Sequence, residues 1–178
     1  MVMEYFSEQH FRDILNRCPL YEQRSYSQNA ANASEKENFD LFLSYNIADY
    51  DVVKGIYYYL TKQGLKVYLD KMVDPNLDRD STNKGTATII RNRLEHSKAL
   101  IYAQSPNALK SNWMPWEIGV IDGKKGKCMI LPVSDAMGNI ASRREYLLLY
   151  PIITPSALKN FLVSDSGRCY SIREFIGY

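Results

Sequence analysis

Short apolar runs alternate with segments of helical spacing from residue 39 onwards. The apolar runs suited to buried strands lie at residues 39–45, 65–69, 98–103 and 128–133, and a fifth is predicted at 148–153. Between these runs, apolar residues recur every three or four positions, which is typical of helices with one buried face. This alternation predicts an α/β domain with a central parallel five-stranded sheet and helices on both faces.

The first 38 residues follow a different pattern. Apolar residues with helical spacing predict an amphipathic helix at residues 4–18, which Pro19 ends. The polar residues that follow have no apolar periodicity, which favours a linker. We therefore predict an N-terminal helical appendage at residues 1–23, a linker at 24–38 and a compact domain at 39–178.

Composition limits the classes of partner. The chain has 178 residues, three cysteines and a formal net charge of +2. The length suits one domain, and so small a charge gives no reason to expect nucleic acid or a membrane as the partner. No apolar run approaches the ~20 residues of a membrane span, and the N-terminus lacks a signal-peptide pattern. Because the cysteine spacing matches no disulfide or zinc framework, we predict a reduced cytoplasmic protein without a metal site.

Polar side chains follow three of the predicted strands. Ser44, Tyr45 and Asn46 end the first, Asp70 ends the second, and residues 105–117 follow the third. The carboxyl ends of parallel strands meet at one edge of a sheet, where ligands bind in open α/β folds. We therefore expect these segments to converge. The polar loop at residues 71–85 lies beside the same edge, and loops of that length are often functional.

Glu117 admits two interpretations. If Pro115 lies in the first turn of a helix, Glu117 is near its third position, where a carboxylate satisfies free amides and favours the helix dipole. The alternative is a site residue, in which the anion stabilises a developing oxocarbenium ion or binds a ribose hydroxyl. Trp113 lies four positions earlier, so its side chain shares a helix face with Glu117. The local sequence alone favours the structural interpretation, because first-turn glutamates are common.

The other candidates have structural alternatives too. Asp70 could cap a turn at a strand end, Ser44 and Asn46 could be turn or helix-capping residues, and both tryptophans could serve packing. Several familiar sites are absent from the sequence: it contains no G-x-G-x-x-G or G-x-x-x-x-G-K-[ST] loop and no G-x-S-x-G nucleophile elbow. A dinucleotide-binding Rossmann domain and a P-loop enzyme are therefore disfavoured.

Taken together, the segments resemble a bacterial Toll/interleukin-receptor (TIR) domain, similar to the TIR subunit of Thoeris-type antiphage systems. The resemblance covers most of the chain, from about residue 39 to 153. It rests on the motifs FDLFLSY (39–45), VYLD (67–70), SPNALKSNWMPWEIG (105–119), DG (122–123) and ILPV (130–133). Their order and spacing are more specific than any one of them. The resemblance implies a flavodoxin-like fold, in which Asp70 begins the so-called BB loop.

The resemblance also implies a function. In catalytic TIR domains, a glutamate four residues after a tryptophan is essential for cleaving NAD+. Glu117 would bind the nicotinamide ribose and stabilise the cation, and Trp113 would form a wall of the site. Ser44, Tyr45, Asn46 and Asp70 would border the substrate. NAD+ would be the substrate, with no further cofactor and no metal, and the product would be ADP-ribose or a cyclic isomer.

The resemblance further implies self-association through TIR–TIR contacts, and activation by a phage-derived trigger in antiphage defence. Two other classes of function stay open. One is a non-catalytic interaction module, either an adaptor or a secreted effector that mimics host TIR domains. The other is a nucleoside-processing glycosyl transferase, which would use the same oxocarbenium chemistry on another base.

Overall fold

The computed structural model describes residues 5–158 and 160–178. Within them the strands are β1 (Phe6–Ser7), β2 (Phe39–Ser44), β3 (Val67–Tyr68), β4 (Ser97–Gln104), β5 (Cys128–Ser134), β6 (Ile152–Pro155), β7 (Phe161–Asp165) and β8 (Arg168–Ser171). The α-helices are α1 (Glu8–Arg17), α2 (Leu20–Ala31), α3 (Tyr50–Lys62), α4 (Asp70–Val73), α5 (Lys84–Glu95), α6 (Trp113–Lys125) and α7 (Ile172–Ile176). Short 3-10 helices lie at Ile47–Asp49, Pro106–Lys110 and Glu145–Leu149.

The sheet has the order β3-β2-β4-β5-β6-β7-β8. Its first five strands are parallel, which confirms the predicted α/β architecture with a five-stranded parallel sheet. The chain moves outward from β2 to β3 and then returns past β2 to β4. Because parallel crossovers are right-handed, this reversal places α3 on one face and α5 and α6 on the other. The reversal also creates a switch point between β2 and β4, where ligands bind in folds of this class.

The central strands form because most of their residues are apolar. Every residue of β2 and of β5 is buried, as expected for strands covered by helices on both faces. Gly64 follows α3 with a φ of 77°, in the left-handed region, and so ends that helix as the sequence predicts. These features fix the frame that carries the candidate site.

The predicted appendage and linker are wrong. Phe6 of β1 pairs with Val133 of β5, and Phe11 of α1 is fully buried against the core. α1 packs on α3 so closely that a Cβ added at Gly55 would lie 2.1 Å from the Phe11 carbonyl oxygen. The start of the helix predicted at residues 4–18 lies partly outside the described residues; its described part begins at Glu8.

Most of the predicted linker at residues 24–38 belongs to α2, and only residues 32–38 are irregular. The helix cannot be recognised from apolar spacing, because its surface is mostly polar and Ala30 is its one buried residue. It is held by contacts with α3 instead. Tyr26 packs its ring 5.6 Å from that of Tyr58, and Glu22 forms an ion pair of 2.9 Å with Lys62. Residues 1–38 and 39–178 therefore form one folded unit in the part of the chain described.

The fifth strand also differs from its prediction. Residues 148–153 were expected to form it, whereas the strand runs over Ile152–Pro155. The preceding apolar residues Leu148 and Leu149 are exposed in a 3-10 helix. An antiparallel pair, β7 and β8, then extends the sheet beyond the parallel core; these two strands are not among those predicted from the sequence. Among the described residues, no helix is long and apolar enough to cross a membrane.

Candidate active site

The polar residues at the strand ends converge at the switch point, as the topology predicts. Ser44 is the last residue of β2, Asp70 is the first residue of α4 directly after β3, and Glu117 lies in α6 after β4. All three are almost fully buried, with exposed fractions of 1%, 3% and 0%. Three carboxylate or hydroxyl groups from distant parts of the sequence thus meet at one edge of the sheet.

Glu117 is held by two partners. The Ser44 hydroxyl donates a hydrogen bond of 2.5 Å to Glu117 Oε2, and Arg79 Nη2 forms an ion pair with Glu117 Oε1. Burial raises the pKa of the Glu117 carboxyl above its ordinary value, while the Arg79 charge and the Ser44 hydrogen bond act in the opposite direction. A carboxylate buried in this way is a strong electrostatic group, because little water screens it.

The local geometry excludes the helix-start interpretation of Glu117. α6 begins at Trp113, so Glu117 is its fifth residue and lies in the second turn. Pro115 does lie in the first turn, as expected, but Glu117 is not at the third position, so the prediction that its carboxylate serves the free amides of the helix start is wrong. The side chain bonds to Ser44 and Arg79, which belong to other elements. Its spacing from Trp113 does place the two side chains on one face of the helix, as expected.

Arg79 was not singled out by the sequence analysis. It lies in the loop between α4 and α5, and its guanidinium bridges two buried carboxylates: Nη1 is 2.9 Å from Asp70 Oδ2, and Nη2 contacts Glu117. Burial acts to lower the pKa of this guanidinium, but the charges of Glu117 and Asp70 outweigh it and raise the pKa. The only signal in the sequence is a lone arginine between two aspartates, which is typical of a solvated loop.

Asp70 also binds the residue that follows β2. The Tyr45 hydroxyl donates a hydrogen bond of 2.6 Å to Asp70 Oδ1, and the backbone amide of Lys71 donates to the same oxygen at 2.7 Å. Burial, together with the Asp70 charge, raises the pKa of Tyr45, so its phenol remains a proton donor. Asp70 thus makes the predicted capping contact, with the Lys71 amide, and also belongs to the cluster of buried polar residues at the switch point.

Asn46 lies slightly apart from this cluster. Its side-chain oxygen accepts a hydrogen bond of 3.0 Å from the amide of Ala48, and its Nδ2 donates to the carbonyl of Asn107 at 3.0 Å. Asp49 adds two further hydrogen bonds between the segments that follow β2 and β4, because its carboxylate accepts one from Ser105 Oγ and one from Asn107 Nδ2. The loops after β2 and β4 are therefore tied together, which fixes the rim of the site.

The two tryptophans differ in role. Trp113 is buried, and its Nε1 donates a hydrogen bond of 3.0 Å to the Arg79 carbonyl, with the Arg79 guanidinium 5.7 Å from the ring centroid. Trp116 packs against the core and lies under Arg91, whose guanidinium carbon is 5.6 Å from the ring centroid. The packing role predicted for Trp116 is therefore confirmed.

A cavity of about 350 Å³ opens at this edge of the sheet. Its lining includes Tyr45, Asn46, Asp70, Arg79 and Trp113. Glu117 is not among the described residues that line it, because Arg79 lies between the carboxylate and the open space. Four of the six predicted site residues thus face the cavity, while Ser44 and Glu117 lie beneath it.

The fold is that of an α/β domain with a flavodoxin-like sheet, and the site lies at its switch point, where such folds bind ligands. The chain belongs to the TIR-domain family: the family model described as "TIR domain" matches residues 41–150.

The chain is 36% identical over 171 residues to a Bacillus cereus (strain MSX-D12) protein named "Probable 3' cyclic ADP-D-ribose synthase ThsB'", a match that covers 89% of this chain and 87% of that protein. It is 26% identical over 114 residues to "Putative cyclic ADP-D-ribose synthase TIR2" of Cytobacillus dafuensis, which covers 56% of this chain and 30% of that protein. A crystal structure of the TIR domain of the Toll-related receptor TRR-2 from Hydra magnipapillata matches with a TM-score of 0.45 and 18% identity, covering 62% of this chain and 79% of that one.

Proposed function

We propose that the protein cleaves NAD+ between the ribose and the nicotinamide, and that it releases ADP-ribose or a cyclic isomer of it. The observation that carries the proposal is the buried carboxylate of Glu117, fixed by Ser44 at the switch point and sharing a helix face with Trp113. The similarity over most of the chain to a relative named as a 3' cyclic ADP-D-ribose synthase supports the same activity.

The reaction is dissociative. The bond between ribose C1' and the nicotinamide nitrogen breaks, and its electron pair passes to the ring, which leaves as neutral nicotinamide. The positive charge moves to the ribose as an oxocarbenium ion. A water molecule then bonds to C1' and loses a proton, giving ADP-ribose. If an adenine nitrogen or a ribose hydroxyl of the same molecule bonds to C1' instead, the product is cyclic.

Each residue has a task in this scheme. Glu117 supplies the fixed negative charge that stabilises the cation and binds the ribose. Ser44 orients that carboxylate, and Trp113 forms an apolar wall beside it. Tyr45, Asn46 and Asp70 border the remainder of the substrate. The route needs neither a metal nor a further cofactor, because the leaving group is already cationic in NAD+.

The proposed biological role is antiphage defence in the cytoplasm, in which the product acts as a signal and a phage-derived trigger starts its synthesis. Self-association through TIR–TIR contacts is part of this proposal. If neighbouring protomers complete the site, nicotinamide release rises more than linearly with protein concentration in the micromolar range. Strictly linear scaling would contradict assembly-dependent catalysis.

The experiment compares wild type with Glu117→Gln after incubation with NAD+, with nicotinamide and the ribosyl product separated by chromatography. Glu95→Gln is the matched control, because Glu95 is an exposed glutamate paired with Lys124 on the surface. We expect nicotinamide from wild type and the control, and none from Glu117→Gln with its circular dichroism unchanged. Cleavage by Glu117→Gln would remove Glu117 from its role.

If all three purified proteins are inactive, the assay is repeated in extracts of phage-infected cells that express each of them. Release that depends on Glu117 in those extracts supports the enzyme. Inactivity there as well would contradict NAD+ cleavage and favour the adaptor function.

A further inference from the structure

We propose that Arg79 is an internal competitor of the substrate. Its guanidinium occupies the place beside Glu117 that the cationic nicotinamide ribose must take, and it leaves only in exchange for that cation. This inference rests on the proposed NAD+ cleavage and adds a residue that controls access to the carboxylate.

The first observation is the position of the guanidinium. It bridges Asp70 and Glu117, and the Arg79 side chain keeps only 14% of its surface exposed. Glu117 has no exposed surface at all, whereas Arg79 itself lines the 350 Å³ cavity. A ligand in the cavity therefore meets Arg79 first and reaches the carboxylate only when the guanidinium has moved.

The second observation is how the loop is built around this residue. Leu77 and Thr86 are buried and hold its two ends, and the Thr86 hydroxyl donates a hydrogen bond of 2.7 Å to the carbonyl of Asp78. Of residues 78–85, all but Arg79 are exposed. Arg79 is thus the one residue of this segment whose side chain points into the protein. It is held there by its ion pairs with Asp70 and Glu117, and by the hydrogen bond that Trp113 donates to its carbonyl. Movement of this segment would uncover Glu117 without disturbing the core.

Electrostatics explains why the exchange needs a cation. Removing the partner of a buried ion pair leaves an uncompensated charge, which is strongly unfavourable. A ligand that brings its own positive charge to Glu117 avoids that cost, while Asp70 and solvent can receive the guanidinium. The apparent affinity of such a ligand is its intrinsic affinity multiplied by the fraction of molecules in which Arg79 is displaced, so it falls as more molecules keep Arg79 in place.

The test uses nicotinamide riboside as the probe, because it carries the cationic glycosidic ring without the diphosphate of NAD+. Its dissociation constant is measured by calorimetry for wild type, Arg79→Ala and Arg79→Gln. The measurement is made at about pH 8, because loss of the Arg79 charge raises the pKa of Glu117 and an alkaline pH favours its ionised form. Arg91→Ala is the matched control, since Arg91 also lies over a tryptophan but contacts Trp116.

We expect both Arg79 variants to bind the riboside at least about fivefold more tightly than wild type, within the usual range of coupling between sites, and Arg91→Ala to bind as wild type does. With NAD+, the Arg79 variants should show a lower KM. Ethylguanidinium at millimolar concentration should weaken riboside binding to Arg79→Ala and leave wild type unaffected, because only the variant has a vacant guanidinium position. A purely structural role of Arg79 would produce no such competition.

A second measurement needs no variant. Trypsin cleaves after arginine, so in wild type the bond after Arg79 should be protected and should become cleavable when the riboside is added. Cleavage after Lys71 and Lys84 provides the internal reference. An unchanged rate after Arg79 at saturating riboside would overturn the proposal.

The outcomes also separate this inference from the proposed function. If wild type cleaves NAD+ in a manner that depends on Glu117 but the Arg79 variants bind the riboside equally or more weakly, Arg79 is not a competitor and only the inference fails. If no variant binds the riboside and Glu117→Gln has no effect on NAD+, the proposed function fails and the inference falls with it.

Discussion

The hydroxyl of Ser44 donates a hydrogen bond to the carboxylate of Glu117, 73 positions further along the chain, at 2.5 Å. The bond connects the end of β2 to the second turn of α6 across the switch point. It stabilises the ionised form of a carboxylate whose pKa is raised by burial.

Replacement of Ser44 by alanine should move the pH dependence of NAD+ cleavage. Activity requires ionised Glu117, so kcat/KM falls as the pH falls through the raised pKa of this group. Loss of the donor raises that pKa further, and the acid limb should move upward by about one pH unit, since a hydrogen bond to a charged group contributes about 1.5 kcal/mol and one pKa unit corresponds to about 1.4 kcal/mol. The measurement is the pH profile of kcat/KM.

Ser97→Ala is the control for this profile. Ser97 is as buried as Ser44, but its hydroxyl donates to the carbonyl of Arg93 at the opposite end of the sheet. Its acid limb should coincide with that of wild type. An equal displacement in both variants would show that the change is not specific to Glu117.

Replacement of Trp113 by phenylalanine should loosen the loop that carries Arg79. The variant keeps an aromatic ring but loses the 3.0 Å hydrogen bond to the Arg79 carbonyl, which costs about 1 kcal/mol of stability. We expect faster trypsin cleavage after Arg79 in the absence of any ligand, measured by mass spectrometry. Trp116→Phe should leave that rate at the wild-type value; a similar increase in both would indicate a general effect of the substitutions.

Replacement of Gly55 by alanine should destabilise the whole fold. The added methyl would lie 2.1 Å from the Phe11 carbonyl oxygen, so α1 must move off α3. Overpacking of this kind costs about 1–3 kcal/mol or more, read from denaturant unfolding. Gly123→Ala is the control, because nothing lies within 4 Å of its added Cβ and alanine favours a helix interior by about 0.5–1 kcal/mol. Equal stability of the Gly55→Ala variant and wild type would contradict the observed packing of α1.

Replacement of Asp74 by asparagine should weaken the start of the same loop. Asp74 pairs with the buried guanidinium of Arg93 through bonds of 3.0 and 2.8 Å, and also accepts a hydrogen bond from Tyr68. Loss of its charge should lower the free energy of unfolding by about 1.5–3 kcal/mol, the range for hydrogen bonds to charged groups. Glu95→Gln breaks an exposed pair and should change it by less than about 1 kcal/mol. A comparable loss in both variants would mean that burial of Arg93 is unimportant.

The parallel core could be predicted from the sequence because its strands are continuous apolar runs. The convergence of Ser44, Asp70 and Glu117 followed from topology, since the carboxyl ends of parallel strands share an edge. The pairing of Trp113 with Glu117 followed from helical spacing. These are properties that local pattern and connectivity determine.

Other features depend on contacts that local pattern does not encode. α2 has a polar surface and is stabilised by tertiary partners such as Tyr58, so its sequence is hard to tell from a linker. β1 has only two residues, too few to show an alternation. The position of Arg79 depends on the path of an irregular loop, and nothing in an Asp-Arg-Asp sequence distinguishes a buried ion pair from a solvated one.

The pairing of β1 with β5 has a consequence for synthesis of the protein. Phe6 is synthesised well before its partner strand, because the Ser134 hydroxyl that donates to its backbone oxygen lies 128 positions later. Contacts of such sequence separation form late and slow the folding rate. The pairing of β1 must therefore wait until β5 has been synthesised, whereas the partner of α1, helix α3, is synthesised much earlier. During that interval Phe6 is an exposed apolar target for chaperones that bind nascent chains.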